Sequence, residues 1–330
     1  MTEDLNPGLF TILGFDGVTP GKDFLYLIKK YPPSGFLLLE KNYQSPEQLT
    51  LLVSDLKKIA GETVLLAVDQ EPGRVQRFKH PFPISEKPAV YIEGNLAEEY
   101  RLWCAQTCSK LAASGINLNL APVLDIAPDS AANPVLIDRI FGDDPHISSI
   151  YAGILIDEHR KNRILTCGKH FPGLGSAGSD PHKELSLSDE PLGRFENYYW
   201  KPFIEAVKSG VDLVMTTHLK AVSLDPENAA TYSSKVIEHL RNRINFSGPV
   251  ISDDLVMRGA GKVGSIGDSA IKAIEAGHNL LIISGDIKLQ TAVLDSVKNR
   301  YARDRLFGNI VRQNEKIIRR VQNKILLSKT

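Results

Sequence analysis

Val64-Leu-Leu-Ala-Val68, followed at once by Asp69-Gln-Glu-Pro-Gly-Arg74, sets five apolar residues in a row against a turn crowded with ionisable groups. A run that is continuous rather than alternating suits a strand covered on both faces. Seven further short apolar runs recur, most of them likewise continuous: Leu9–Leu13, Phe36–Leu39, Ile116–Ala121, Ile164–Cys167, Leu213–Thr216, Val250–Ser252 and Leu280–Ile283. Longer segments with helical periodicity separate them, and this alternation is the signature of parallel strands joined by crossover helices. The count predicts an α/β fold, a single (β/α)₈ TIM barrel.

The intervening helices carry their own start signals. Ser45-Pro46-Glu47-Gln48 places a capping serine before a proline at the first helical position, with Gln three residues after the cap. Leu49, Leu52, Val53, Leu56 and Ile59 then form one apolar stripe for the sheet. Similar periodicity runs through Leu96–Ala113, Ile147–Arg160, Tyr199–Val207, Ser234–Arg243, Ile266–Ala276 and Lys288–Val297. A last helix, about 305–327, carries Ile310, Ile317, Val321 and Ile325 among many Lys and Arg, and is expected to pack on the barrel wall.

At 330 residues the chain could form two average domains or one barrel with long loops, since that fold needs about 250 residues. Repeats, low-complexity tracts and linkers are lacking, so residues 1–330 are expected to be one domain. The hydrophobic share of 42% supports a large core. Thirty-nine Lys and Arg balance 39 Asp and Glu, which leaves no field to recruit nucleic acid or an anionic membrane surface. A small, weakly charged partner and a monomeric state are expected. Cys104, Cys108 and Cys167 cannot all pair, which argues for a reducing compartment. The acidic start, Met1-Thr-Glu-Asp, has no basic region before an apolar run, and no 18-residue apolar stretch follows. A cytoplasmic location without a membrane span is the expectation.

In a closed parallel barrel the site lies at the carboxyl ends of the strands. There the sequence places Asp69, Arg74 and Arg77; Asp125, then Asp138 and Arg139; Lys169 and His170, then Asp180 and His182; His218; and Asp253 and Asp254. Taken singly, His218 or Asp125 at a rim has structural duty as its first explanation. Five strand ends sharing such groups are harder to dismiss, because charges beside a core are costly unless they pair with one another or a ligand. Asp253, directly after Val250-Ile-Ser, suits a rigidly held nucleophile, and Asp254 suits a structural partner. Asp180 could orient His182 to move a proton, although the spacing of Asp180-Pro181-His182 alone favours an exposed turn with no role. The histidines are too dispersed for a metal site, and Gly173-Leu-Gly175 lacks the third glycine of a dinucleotide cradle and reads as a loop hinge. No metal or other cofactor is expected.

Read together, these residues resemble glycoside hydrolase family 3, in its compact β-N-acetylhexosaminidase branch of bacterial cell-wall recycling. The likeness is carried by Gly35–Asn42 with Pro46–Leu49, by Val68–Arg77, Ala121-Pro-Val-Leu-Asp125 and Asp138-Arg-Ile-Phe-Gly142. It continues through Gly168-Lys-His-Phe-Pro-Gly173, Asp180-Pro-His182, Met215-Thr-Thr-His218 and Phe246–Leu255. The resemblance implies retaining hydrolysis of terminal β-linked N-acetylglucosamine from peptidoglycan fragments. In that reading Asp253 is the nucleophile, Asp180 and His182 form the acid/base dyad, and Asp69, Arg77, Arg139, Lys169 and His170 bind the sugar. The chain departs from the family pattern at Lys41 (usually Arg), Pro72 (usually Gly), Leu174 (often His) and Asn279 (usually Asp). The large sandwich domain of many members is absent, so the barrel is expected to build the site alone. A sugar phosphorylase using the same dyad, a sugar-binding barrel with little catalysis, and an aldolase-type barrel with Lys169 as Schiff base are the alternatives.

Overall fold

The structure, a computed structural model, describes residues 5–128, 133–177, 185–260 and 263–327. Eight strands make one parallel sheet: β1 Thr11–Gly14, β2 Gly35–Leu38, β3 Leu65–Val68, β4 Leu118–Asn119, β5 Leu165–Phe171, then β7 Leu213–Thr216, β9 Val250–Ser252 and β10 Leu281–Ile283. β10 pairs with β1 in register Leu13 to Ile283, and β9 meets β10 through Ser252 N–H to Leu280 O at 3.0 Å. The sheet is therefore closed, and the chain folds as a (β/α)₈ barrel. The continuous apolar runs follow from this closure: β1, β2, β3 and β7 are buried at every position, one side chain set filling the barrel and the other meeting helices.

The helices form where capping chemistry and apolar periodicity coincide. Ser45 accepts the Gln48 N–H at 3.2 Å at the head of helix Pro46–Ala60, whose Leu49, Leu52, Val53 and Leu56 are buried against the sheet. Ser265 and Asp268 form a reciprocal capping box for Ile266–Ala276, and Gly277 ends that helix at φ 114°, a conformation other residues adopt at a cost. Helices Ala97–Ala113, Pro145–Lys161 and Ser234–Asn242 lie within a few residues of their expected bounds. Among the described residues, no helix is long and apolar enough to cross a membrane.

Three local expectations change. Leu9 sits in a 3₁₀ turn, Pro7–Phe10, so the first strand begins at Thr11. The Tyr199–Val207 helix begins at Lys201, because a π turn over Phe195–Tyr199 precedes it and carries the buried Phe195 and Tyr199 rings. A second, two-stranded parallel sheet, β6 Ser186–Ser188 with β8 Leu219–Ala221, lies outside the barrel and has no counterpart in the apolar-run reading.

The last helix, Arg305–Leu327, packs on the helices Ile266–Ala276 and Ile287–Arg303 and on the turn Pro7–Phe10. Its buried stripe is Phe307, Val311, Ile318, Val321 and Ile325, with Ile310 and Ile317 only half-buried. Asn314 sits in the same stripe, donating to His278 O and accepting from Asn279 Nδ2, both at 3.0 Å. Asn279 also accepts the Val250 N–H at 2.8 Å. An aspartate at 279 has no N–H to give Asn314, which accounts for asparagine in this chain.

Candidate active site

The carboxyl ends of the strands surround a cavity of about 500 Å³ lined, among others, by Asp69, Glu71, Arg77, Arg139, Lys169, His170 and Asp253. Of the residues expected in the site, Asp69 and Arg77 come from the loop after β3, and Arg139 from the long segment after β4. Lys169 and His170 are not in a loop but in β5 itself, which runs on to Phe171. Pairing between β4 and β5 also continues past the end of β4, with Lys169 N–H donating to Pro122 O at 3.1 Å and Leu124 N–H to Lys169 O at 2.6 Å. The Lys169–His170 peptide bond is cis.

Charges in the cavity are interlocked. Lys169, 2% exposed, donates to Asp69 at 2.8 Å and to Glu71 at 2.6 Å. Arg139 grips Glu71 with two guanidinium N–H groups at 2.8 and 2.9 Å, and Arg77 reaches Asp69 at 3.3 Å. Burial alone would raise the Asp69 carboxyl, but the Lys169 and Arg77 charges outweigh it and hold it well below the usual carboxylate range. Burial likewise opposes ionisation of Glu71, and Arg139 and Lys169 bring it down to about 2. Burial disfavours the Lys169 ammonium, yet Asp69 and Glu71 raise its pKa above the ordinary lysine value. Asp69, Glu71 and Lys169 are therefore charged at neutral pH, and of the three N–H donors of its ammonium Lys169 spends two here. The Arg77 Nε is buried with no hydrogen-bond partner among the described residues.

Glu71 had no role assigned from sequence. Its signal was present, an acid two residues after Asp69 at the mouth of an apolar run, but nothing in the chain order says that Arg139, 68 positions away, would meet it. Arg74, also lining the cavity, spends its guanidinium on the carbonyls of Pro134, Val135 and Ile137 and so ties the β3 loop to the segment before Arg139.

The loop after β3 is held by side-chain amides acting as backbone. Asn119 of β4 accepts the Gln70 N–H and donates to the Gln70 carbonyl, both at 2.9 Å. Gln70 pairs in the same way with both main-chain groups of Phe78, and Gln76 with those of Ser85. Gly73, at φ 81°, lets the turn press on Asp138 O, where an added Cβ would come within 2.0 Å. Asn119 Nδ2 also meets His159 Nε2 at 2.9 Å, and His159 Nδ1 donates to Leu155 O at 2.8 Å, so His159 is neutral with its proton on Nδ1.

Burial takes His159, and His278 behind β7, from the usual 6.5 down to about 4. Between pH 6.5 and 4 the unfolded chain binds a proton at each histidine that the folded chain refuses. Stability is thus expected to fall as pH falls through this window, by on the order of 3 kcal/mol per histidine. Denaturant unfolding at pH 7, 5.5 and 4 measures this; a midpoint independent of pH over the range would contradict it.

Asp253 follows β9 and lines the same cavity as the interlocked charges. One carboxylate oxygen accepts the Asp254 N–H at 2.8 Å, and the other makes no hydrogen bond among the described residues. Its neighbour is committed elsewhere: Asp254 accepts from Val256 N–H at 3.1 Å, Ser284 N–H at 3.2 Å and the Ser284 hydroxyl. Burial pushes the Asp254 carboxyl up, against those hydrogen bonds. His218 donates from Nε2 to Asp254 O at 2.9 Å, a structural duty. Asp180 and His182 lie outside the described residues. The hinge expected at Gly173–Gly175 is instead a packed turn: Asn133 Nδ2 holds Leu174 O and Ala177 O, and a Cβ on Gly175 would meet Ile126 O at 1.9 Å. Leu174, where a histidine is common, is 1% exposed among Val123, Val135, Leu136 and Ile140.

Comparison with known proteins agrees with this arrangement. The sequence profile of the Glycosyl hydrolase family 3 N terminal domain matches residues 14–313. A Beta-hexosaminidase of Actinobacillus pleuropneumoniae serotype 3 is 33% identical over 294 residues, covering 87% of this chain and 84% of the relative. One from Methylococcus capsulatus is 32% identical over 273 residues, covering 81% and 80%. Among solved structures, a Beta-N-acetylhexosaminidase from Beutenbergia cavernae superposes with a TM-score of 0.89 at 26% identity, covering 98% of this chain and 99% of that one. A family 3 beta-N-acetylglucosaminidase from Paenibacillus sp. gives a TM-score of 0.89 at 29% identity over 98% of this chain, which spans only 63% of that protein. A closed parallel barrel with an aspartate after its seventh strand, over a basin of paired charges, thus accompanies a profile match over most of the sequence, and the chain belongs to glycosyl hydrolase family 3.

Proposed function

We propose that this glycosidase hydrolyses terminal β-linked N-acetylglucosamine with retention of configuration, acting in the cytoplasm on peptidoglycan fragments as a monomer. Residues 1–330 would act as one catalytic domain. The observation that carries the reading is that Asp253, with one carboxylate oxygen making no hydrogen bond among the described residues, shares a cavity with Asp69, Arg77, Arg139, Lys169 and His170. Relatives named Beta-hexosaminidase supply the sugar class. The free, buried cysteines suit a reducing compartment.

In the proposed reaction Asp253 attacks the anomeric carbon as the bond to the leaving oxygen breaks, and His182, oriented by Asp180, protonates that oxygen. Water then attacks the glycosyl ester, His182 takes its proton, and Asp253 is released. The five cavity residues bind the sugar: ionised Asp69 accepts from paired hydroxyls, Arg77 and Arg139 offer planar donors, and Lys169 and His170 complete the contact. A chromogenic β-N-acetylglucosaminide should be turned over, and NMR of the first-formed sugar should show the β anomer. An α product, or turnover that requires inorganic phosphate and yields a sugar 1-phosphate, would replace this mechanism by inversion or phosphorolysis. His182→Ala should lower turnover roughly 10²- to 10⁴-fold, the scale of a lost proton-transfer group, and a variant as active as the parent would remove it from the mechanism.

A further inference from the structure

Two main-chain N–H groups and one ring nitrogen converge on a buried carboxylate beside the cavity. Asp125, 1% exposed, meets the His170 ring Nδ1 at 2.6 Å and accepts the His170 main-chain N–H at 3.1 Å on one oxygen, and accepts the Leu174 N–H at 2.6 Å on the other. We infer that Asp125 is a positioning residue: it fixes which nitrogen of His170 carries the proton and ties that ring to the base of the segment after β5. The inference rests on the sugar-binding role proposed for His170.

The argument is geometric. A carboxylate oxygen that already accepts a main-chain N–H can only accept from the ring, so Nδ1 bears the proton. Nε2, which makes no hydrogen bond among the described residues, is then the nitrogen left for the cavity that His170 lines. Asp125 cannot drift from this position. The prolonged pairing of β4 with β5, through Val123 opposite Lys169, brings the two segments side by side. Gly168 and Gly175 let them pack more closely than any side chain would allow, a Cβ on Gly168 meeting Leu124 Cδ1 at 2.5 Å and one on Gly175 meeting Ile126 O at 1.9 Å.

Asparagine at 125 has the same shape but one acceptor fewer, so its NH₂ must face either Leu174 N–H or the two His170 donors. In the second arrangement the imidazole can relieve the clash only by moving its proton to Nε2, the wrong nitrogen for the cavity. The facing donors are expected to cost Asp125→Asn about 10- to 100-fold in kcat/KM.

The test combines ring-nitrogen NMR on histidine-labelled protein with kinetics on a chromogenic β-N-acetylglucosaminide, assigning His170 by its loss in His170→Gln. In the parent protein Nδ1 should carry a proton; a ring protonated at Nε2 alone overturns the inference without any variant having to fold. Asp125→Asn should change the His170 signal and lower kcat/KM as stated. In the His170→Gln background the same substitution should cost less than about threefold, because its effect passes through the ring. An equal cost in both backgrounds, or parental kinetics with an unchanged ring signal, also overturns it. A parent protein inactive on the glucosaminide would defeat the proposed activity instead, and the NMR result would still decide the role of Asp125.

Discussion

Asp253→Asn is expected to lower turnover of a β-N-acetylglucosaminide by on the order of 10⁴-fold or more, while moving the unfolding temperature by no more than about 2 °C. The two halves of this expectation have separate causes. Asparagine keeps an oxygen for the Asp254 N–H, which is the one hydrogen bond the Asp253 side chain makes among the described residues, so little packing or pairing is lost. It cannot, however, form the glycosyl ester that a retaining mechanism passes through. Activity and thermal melting measured on the same preparation check both halves. Parental turnover would exclude Asp253 as nucleophile, and a large drop in melting temperature would show that its carboxylate holds the barrel mouth together.

Glu71→Ala is expected to strike the fold itself, costing about 3–5 kcal/mol of folding free energy because it leaves buried cations short of a partner. Arg139 would lose both of its short contacts to carboxylate, and Lys169 would retain Asp69 alone. Against a total stability of about 5–15 kcal/mol for a typical domain, such a loss is severe. Turnover should fall as well, since Glu71 holds Arg139 and shares Lys169 with Asp69. Denaturant unfolding of the variant decides the point: an unfolding free energy within about 0.5 kcal/mol of the parent would mean that the cluster does not depend on Glu71. Glu71→Gln, which keeps the shape and one acceptor, should fall between the two.

Much of the fold could be read from the chain because burial on two faces leaves a local mark. Most barrel strands are short apolar runs, β4 and β5 being interrupted by Asn119 and by Lys169 and His170, and the crossover helices repeat their apolar residues with the helical period, as at Leu49–Leu56. The exceptions are equally physical. β6 and β8 lie outside the barrel, and Leu187 at the centre of β6 is exposed, so that sheet has no double burial to announce it. The Arg305–Leu327 stripe is offset from the simple isoleucine count because Asn314, a polar residue, occupies a buried position to serve Asn279 and His278.

The site was legible as a set of residue types at strand ends, less so as a set of partnerships. Asp69, Arg77, Arg139, Lys169, His170 and Asp253 do share one cavity. Which carboxylate holds which cation depends on how the segments after β3, β4 and β5 cross. Glu71 and Asp125 were both visible as acids near apolar runs, yet the first meets Arg139 and the second His170 only after the chain has closed on itself. Single residues that look like ordinary rim polarity can therefore be the supports of a neighbour's chemistry, and only the folded contacts separate the two.

The seam where β10 pairs with β1 joins Thr11–Leu13 to Leu281–Ile283, segments far apart along the chain. While the protein is being synthesised, β1 must wait with one edge open until residues 281–283 have been made, and the growing sheet presents a second open edge on its other side. Unpaired strand edges attract other extended chains, so the nascent molecule is open to aggregation until β10 is in place. Substitutions that weaken the Leu13–Ile283 pairing should reduce the yield of soluble protein in the cell more than they reduce the stability of molecules that have already closed.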